Sequence, residues 1–234
     1  MLRKFLIVLN FSWIIGLAAL CWSKNASVGG VVFTAIGTTL RDLDLPRAAA
    51  ASYSAALYFV PKAGRVYSAR GYAYLLSELY DDAIASYDTA IQIDGASAHL
   101  NYNRGLAYAR MERSDQAITD YTTAIALNPD CRNCFAARAA AHFKAGNFVN
   151  AIADYGSVIE VNPFDVEAIY GRARANFAAG QNRSALADAQ RVLRIAPNGP
   201  YSRGARKLSR EAKAKIVMPP AAPPPPIEQH GLGI

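Results

Sequence analysis

Cys131 and Cys134 stand in the stretch DCRNCF, with two residues between them. Disulfide exchange, zinc binding and covalent haem attachment all use this spacing. Haem attachment requires a histidine directly after the second cysteine, and Phe135 is there. Zinc requires four ligands, and no second pair exists; His142 lies two turns further along. Three readings stay open: a local bridge, which suits an oxidising compartment, a pair of free thiols, and catalytic thiol-disulfide exchange. Nothing else in the chain forms a catalytic constellation. His99, His142 and His230 are scattered, and the acids, such as Asp81 and Asp82, are spaced as helix-surface residues. No glycine-rich phosphate loop follows a strand. The expectation is a protein without enzymatic activity, metal or cofactor.

The elements that must carry these residues repeat. DDAIASYDTAIQIDG (81–95) recurs 34 residues later as DQAITDYTTAIALNP (115–129), then as VNAIADYGSVIEVNP (149–163) and RSALADAQRVLRIAP (183–197). One step back stands RAAAASYSAALYFVP (47–61). Each of these halves follows an equally regular one: FTAIGTTL (33–40), YSARGYAY (67–74), NYNRGLAY (101–108), FAARAAAH (135–142) and IYGRARAN (169–176). Within them a small residue recurs at Gly37, Gly71, Gly105, Ala139 and Ala173, four places after an aromatic or apolar one in every unit but that of Asn101. Spacings of three and four put such residues on one helical face. Pro61, Pro129, Pro163 and Pro197 end the second helices, with Gly95 replacing a proline once. Each unit is therefore a helical hairpin in which a tyrosine fills the gap left by a small residue. One hairpin cannot bury its own apolar face, so hairpins must stack.

At these residues the chain resembles the tetratricopeptide repeat family. The family pattern has Gly or Ala at position 8, Tyr at 11, Ala at 20, an aromatic at 24, Ala at 27 and Pro at 32. Residues 98–131 match with Gly105, Tyr108, Ala117, Tyr121, Ala124 and Pro129; residues 64–97 match with Gly71, Tyr74, Ala83, Tyr87 and Ala90. The units 132–165 and 166–199 are looser. They keep Ala151, Tyr155, Pro163 and Pro197, but His142 and Asn176 replace the tyrosine at position 11, and Ala189 the aromatic at 24. A degenerate unit spans 30–63, and a polar capping helix is expected over 200–217. The resemblance implies an all-α, right-handed α-solenoid of four clear repeats and one degenerate repeat. It also implies a partner, a peptide or protein segment, in a concave groove lined by the first helices.

Carried over position by position, the groove comprises Arg65, Ser68 and Tyr72 in the first clear unit. His99, Tyr102, Asn103 and Arg110 follow in the second, Asn133 and Lys144 in the third. The fourth contributes Glu167, Tyr170, Arg174 and Phe177. A clamp for a C-terminal carboxylate is not implied, since only Asn103 fits its pattern. Arg70, Arg104, Arg138 and Arg172 recur at position 7. The expectation is that each packs its stem between helices and pairs with a nearby acid or carbonyl; a ladder binding an anionic partner is the alternative.

The formal net charge of +7 sits at the ends, because residues 64–197 carry 13 Lys/Arg against 14 Asp/Glu. A phosphate-binding groove in the repeats is thereby disfavoured, and no nucleic-acid partner is expected. Arg3 and Lys4 precede about 18 mostly apolar residues, which read, over 1–23, as a signal peptide or signal anchor. Export to the periplasm, or anchoring at the inner membrane by this segment, is the expectation. Residues 218–234 hold a proline run and read as an extended, disordered tail. The functional reading is a protein-binding scaffold of the cell envelope. Self-assembly into a homo-oligomer and a redox role for the cysteine pair are the alternatives.

Overall fold

The computed structural model describes residues 26–217; the signal-segment and proline-tail readings lie outside them. The described residues form eleven helices and no strand. They run α1 (Ala26–Asp42), α2 (Pro46–Phe59), α3 (Gly64–Leu76), α4 (Tyr80–Asp94), α5 (Ala98–Arg110) and α6 (Ser114–Leu127). They continue with α7 (Arg132–Lys144), α8 (Phe148–Val161), α9 (Val166–Ala178), α10 (Asn182–Ile195) and α11 (Ser202–Val217). The fold class is all-α, of the α-solenoid type.

The same 34-residue period governs where helices stop. Between the two helices of each hairpin one residue takes a left-handed conformation: Asp44, Glu78 and Glu112 at φ 61–62°, then Gly146 and Gly180 at φ 80° and 76°. This reverses the chain and ends the first helix. Helix starts use different devices. Pro46 occupies the first turn of α2, while Ser97 and Asp165 accept hydrogen bonds from the Leu100 and Ala168 amides and so cap α5 and α9. Where Gly95 stands in place of proline it adopts φ 84°.

Two compact units are distinguished, Met1–Asp154 and Tyr155–Ile234, dividing inside α8. In the first, each helix from α1 to α7 packs against the next, and α1, α3, α5 and α7 also touch in that order. Its core is built on three tyrosines, Tyr53, Tyr87 and Tyr121, each essentially inaccessible and each flanked on its own helix by buried alanines such as Ala117 and Ala124. A Cβ added at Gly37, Gly71 or Gly105 would lie 2.7, 3.0 or 2.8 Å from a ring atom of the respective tyrosine. Glycine is thus the complement of a bulky ring, and the degenerate unit uses the same contact as its neighbours. In the second unit, α9 packs on α10, and α11 on both. Tyr155 there lies against Gly171, where any Cβ would collide with the ring.

Candidate functional site

The position-7 arginines show how the repeat sets side-chain chemistry. From the first helix of its hairpin, Arg104 donates from Nε to Asp120 Oδ2 at 2.8 Å and from Nη2 to Oδ1 at 2.6 Å. Its Nη1 reaches Asp88 in the preceding hairpin. Arg138 grips Asp154 at 2.8 Å through Nε and Nη2, and Thr122 Oγ1 at 3.1 Å. Arg70 takes Ser86 and Ser54 at the equivalent places. Within the second unit Arg172 holds Asp188 at 2.9 and 2.8 Å, and Gly156 stands where a partner from the preceding hairpin would be. Every such partner is sixteen residues away in sequence. Hydrogen bonding to Asp120 and Asp188 raises the pKa of Arg104 and Arg172 further above its ordinary value. The partners are carboxylates and hydroxyls rather than carbonyls, and these contacts tie helices together within the fold.

The expected groove positions of the first unit form two hollows between α3 and α5. At the amino ends of these helices a cavity of about 680 Å³ is lined by Lys62, Arg65, Ser68, Asp94, Ser97 and His99. Gly64 forms part of its wall because the Asp94 carboxylate lies over it, where any Cβ would collide. At the carboxyl ends a second hollow of about 310 Å³ brings together Tyr72, Leu75, Leu76, Leu106 and Arg110, with Glu78 and Tyr80 at its side. Tyr72 is 37% exposed and Leu76 47%, a polar-tipped ring beside an apolar floor.

Other expected groove residues are placed differently. Asn103 is only 4% exposed, and its side-chain nitrogen lies 2.8 Å from His99 Nε2, so it orients the imidazole from beneath. Tyr102 is half-buried, with its ring 5.8 Å from that of Tyr121; burial raises its pKa above the usual tyrosine value. Asn133 and Lys144 are exposed at opposite ends of α7. In the second unit α11 and the residue before it cover part of α9: the Tyr170 ring lies 5.3 Å from that of Tyr201, tilted by 32°, and reaches Gly204, and Lys215 Nζ sits 4.4 Å over the Phe177 ring. Arg174 and Glu167 are exposed. Sequence reasoning passed over Leu75, Leu76 and Leu106, which share the groove face. Their positions, 9, 12 and 13 of the unit, were the available signal.

Cys131 and Cys134 are joined in a disulfide, with Cα atoms 5.3 Å apart. Cys131 is the N-cap of α7, and Cys134, one turn in, is fully buried. The bridge therefore staples the turn after α6 to the first turn of α7. Among the described residues no group of three or more His, Cys, Asp or Glu could hold a metal ion. No helix among them is long and apolar enough to cross a membrane.

Three family models match the chain. Residues 100–131 and 136–200 match models described as tetratricopeptide repeat, and residues 79–112 one described as TPR repeat. Together they span slightly more than half of the 234 residues. A comparison with curated protein sequences gives no match. Among solved structures the chain is similar to YrrB, a TPR protein with an unusual peptide-binding site, at 20% identity and a TM-score of 0.68, over 76% of this chain and 92% of that one. It is similar to MamA at 22% identity and a TM-score of 0.68, over 84% and 98% of the two chains. PilW, a type IV pilus biogenesis factor, aligns at 21% identity and a TM-score of 0.63, over 80% and 91%. At these identities the likeness establishes the fold alone.

Proposed function

The chain belongs to the tetratricopeptide repeat family, and from that premise we propose that it is a non-enzymatic scaffold holding an extended peptide or protein segment in the groove between α3 and α5. The observation that carries this reading is the pair of hollows on one face, lined by Arg65, Ser68 and His99 at one end and by Tyr72, Leu76, Leu106 and Arg110 at the other. Arg65 and Tyr72 lie seven residues apart on α3, about 10 Å along its axis. An extended chain of polyproline type advances about 3.1 Å per residue with about three residues per turn, so side chains three positions apart face the same way and reach both hollows. The exposed tyrosine presents a rigid ring at small entropic cost, and Arg110 beside it orients polar groups. YrrB, similar in fold, is a TPR protein with an unusual peptide-binding site, which supports a peptide as the class of partner.

We place the protein in the bacterial cell envelope, on the strength of the basic and apolar run at its N-terminus. Protease accessibility in spheroplasts tests that location; full protection of the repeats in intact spheroplasts rejects it. For the groove, peptides selected on the purified chain from a random display library serve as probes. Tyr72→Ala combined with Arg110→Ala lowers their affinity about tenfold or more with helical content unchanged. Unaltered binding by the double variant removes the groove as the site.

A further inference from the structure

Charge is divided unequally between the two units. Residues 26–154 carry 11 Lys/Arg and 12 Asp/Glu, whereas residues 155–217 carry 11 and 5. Much of the excess lies on α11. Ser202, Ala205, Leu208 and Ala212 form its buried stripe. Arg203, Arg206, Lys207, Arg210 and Lys213, at spacings of three, four, seven and ten, are all exposed on the other side. Part of this charge is engaged, since Arg206 donates to the Pro197 carbonyl at 2.7 Å and Lys207 lies 3.8 Å from Glu211. Arg203, Arg210 and Lys213 have no ion pair among the described residues. The stripe extends about 15 Å along the helix. One turn beyond Lys213, Val217 continues the same face and is 71% exposed.

We propose that this face of α11 docks on an anionic phospholipid surface. A row of cations on a convex helix, closed by an apolar residue, matches the headgroup plane with its acyl layer beneath. A nucleic-acid site is built otherwise, with aromatic rings interleaved among the cations of a groove, and no aromatic side chain occurs in α11. The N-terminal apolar run, if it holds the chain at a bilayer, adds proximity. That point alone rests on the envelope reading, and the experiment separates the two.

The full chain is mixed with phosphatidylcholine vesicles, with or without phosphatidylglycerol, and lysine acetylation rates are read by mass spectrometry. Co-flotation with neutral vesicles reports the N-terminal run; acetylation of Lys207 and Lys213 reports α11. With anionic vesicles both lysines react about tenfold more slowly, while Lys62 and Lys144 in the first unit do not change. The protection disappears at about 0.5 M salt and in Arg203→Gln/Arg210→Gln. Val217→Ser weakens it. Equal rates with neutral and anionic vesicles overturn the proposal whether or not the chain floats. So does protection by a DNA or RNA duplex, used as a probe, without protection by vesicles.

Discussion

Arg104 holds Asp120 through two parallel hydrogen bonds of 2.8 and 2.6 Å, in a place where the aspartate side chain is only 5% exposed. A carboxylate so enclosed depends on its partner, because an unpaired buried charge loses hydration without recompense. Replacing Arg104 with methionine is expected to cost about 3 kcal/mol. The corresponding Arg70 bonds only the hydroxyls of Ser86 and Ser54, at 3.2 and 3.4 Å. Arg70→Met is expected to cost about 1 kcal/mol or less. Urea denaturation of both variants checks the order; equal costs would mean that the charge on the partner is immaterial.

Gly105 faces the Tyr121 ring so closely that a Cβ would stand 2.8 Å from it. Tyr121 is 1% exposed and cannot swing aside without opening the core. Gly105→Val therefore destabilises by about 1 to 3 kcal/mol through overpacking. Adding Tyr121→Leu to Gly105→Val should recover part of the loss in thermal unfolding, since the smaller side chain leaves room for the valine methyl groups.

Glu112 closes α5 at φ 61°, in the conformation that Gly146 and Gly180 adopt at the equivalent places. Glu112→Gly removes backbone strain and is expected to stabilise the chain by about 0.5 to 1 kcal/mol, less what the freer unfolded chain takes back. A fall in Tm for this variant would show that the glutamate side chain contributes more than its backbone costs.

The bridge between Cys131 and Cys134 closes a very short loop, so its effect on the unfolded chain is small. Reduction is expected to cost no more than about 2 kcal/mol. Cys134→Ser costs more than Cys131→Ser, because the hydroxyl enters a fully buried site. Comparing chemical denaturation of both variants with that of the reduced parent separates the bridge from the burial.

His142 occupies the place that holds Tyr108 in the preceding unit, and its Nδ1 is buried without a partner. Burial lowers its pKa below the ordinary 6.5, outweighing the upward pull of Asp154, while Arg138 lowers it further. As pH falls through 6.5 the unfolded chain binds the proton first, so stability declines between that value and the lower folded pKa and is constant above. His142→Phe is expected to flatten this part of the stability profile. An unchanged slope between about pH 7 and pH 5 would assign it to other groups.

The all-α repeat and the pairing of small residues with bulky ones were legible because each follows from a period of 34 residues and a local rule. Gly105 opposite Tyr121 and Ala117 in the core could be placed from spacing alone. The position-7 arginines were only half legible. Their role as internal ties was readable, but a long side chain finds its partner by reach, and the partner lies sixteen residues away on another helix. The left-handed residues were overlooked because Asp44, Glu78 and Glu112 do not carry the glycine that marks the same place at Gly146 and Gly180.

By itself, then, the order of residues determined the repeated hairpin and the face each side chain would take, because those are properties of a helix about 3.6 residues around. Only the folded chain decided which faces stay open. Asn103 and Tyr102 sit on the expected stripe and yet turn into packing, while Tyr170 and Phe177 meet α11. Tyr72, Leu76 and Arg110 remain in reach of a partner. The distinction arises where neighbouring helices meet, and that depends on side-chain volumes from separate repeats, which no single helical period contains.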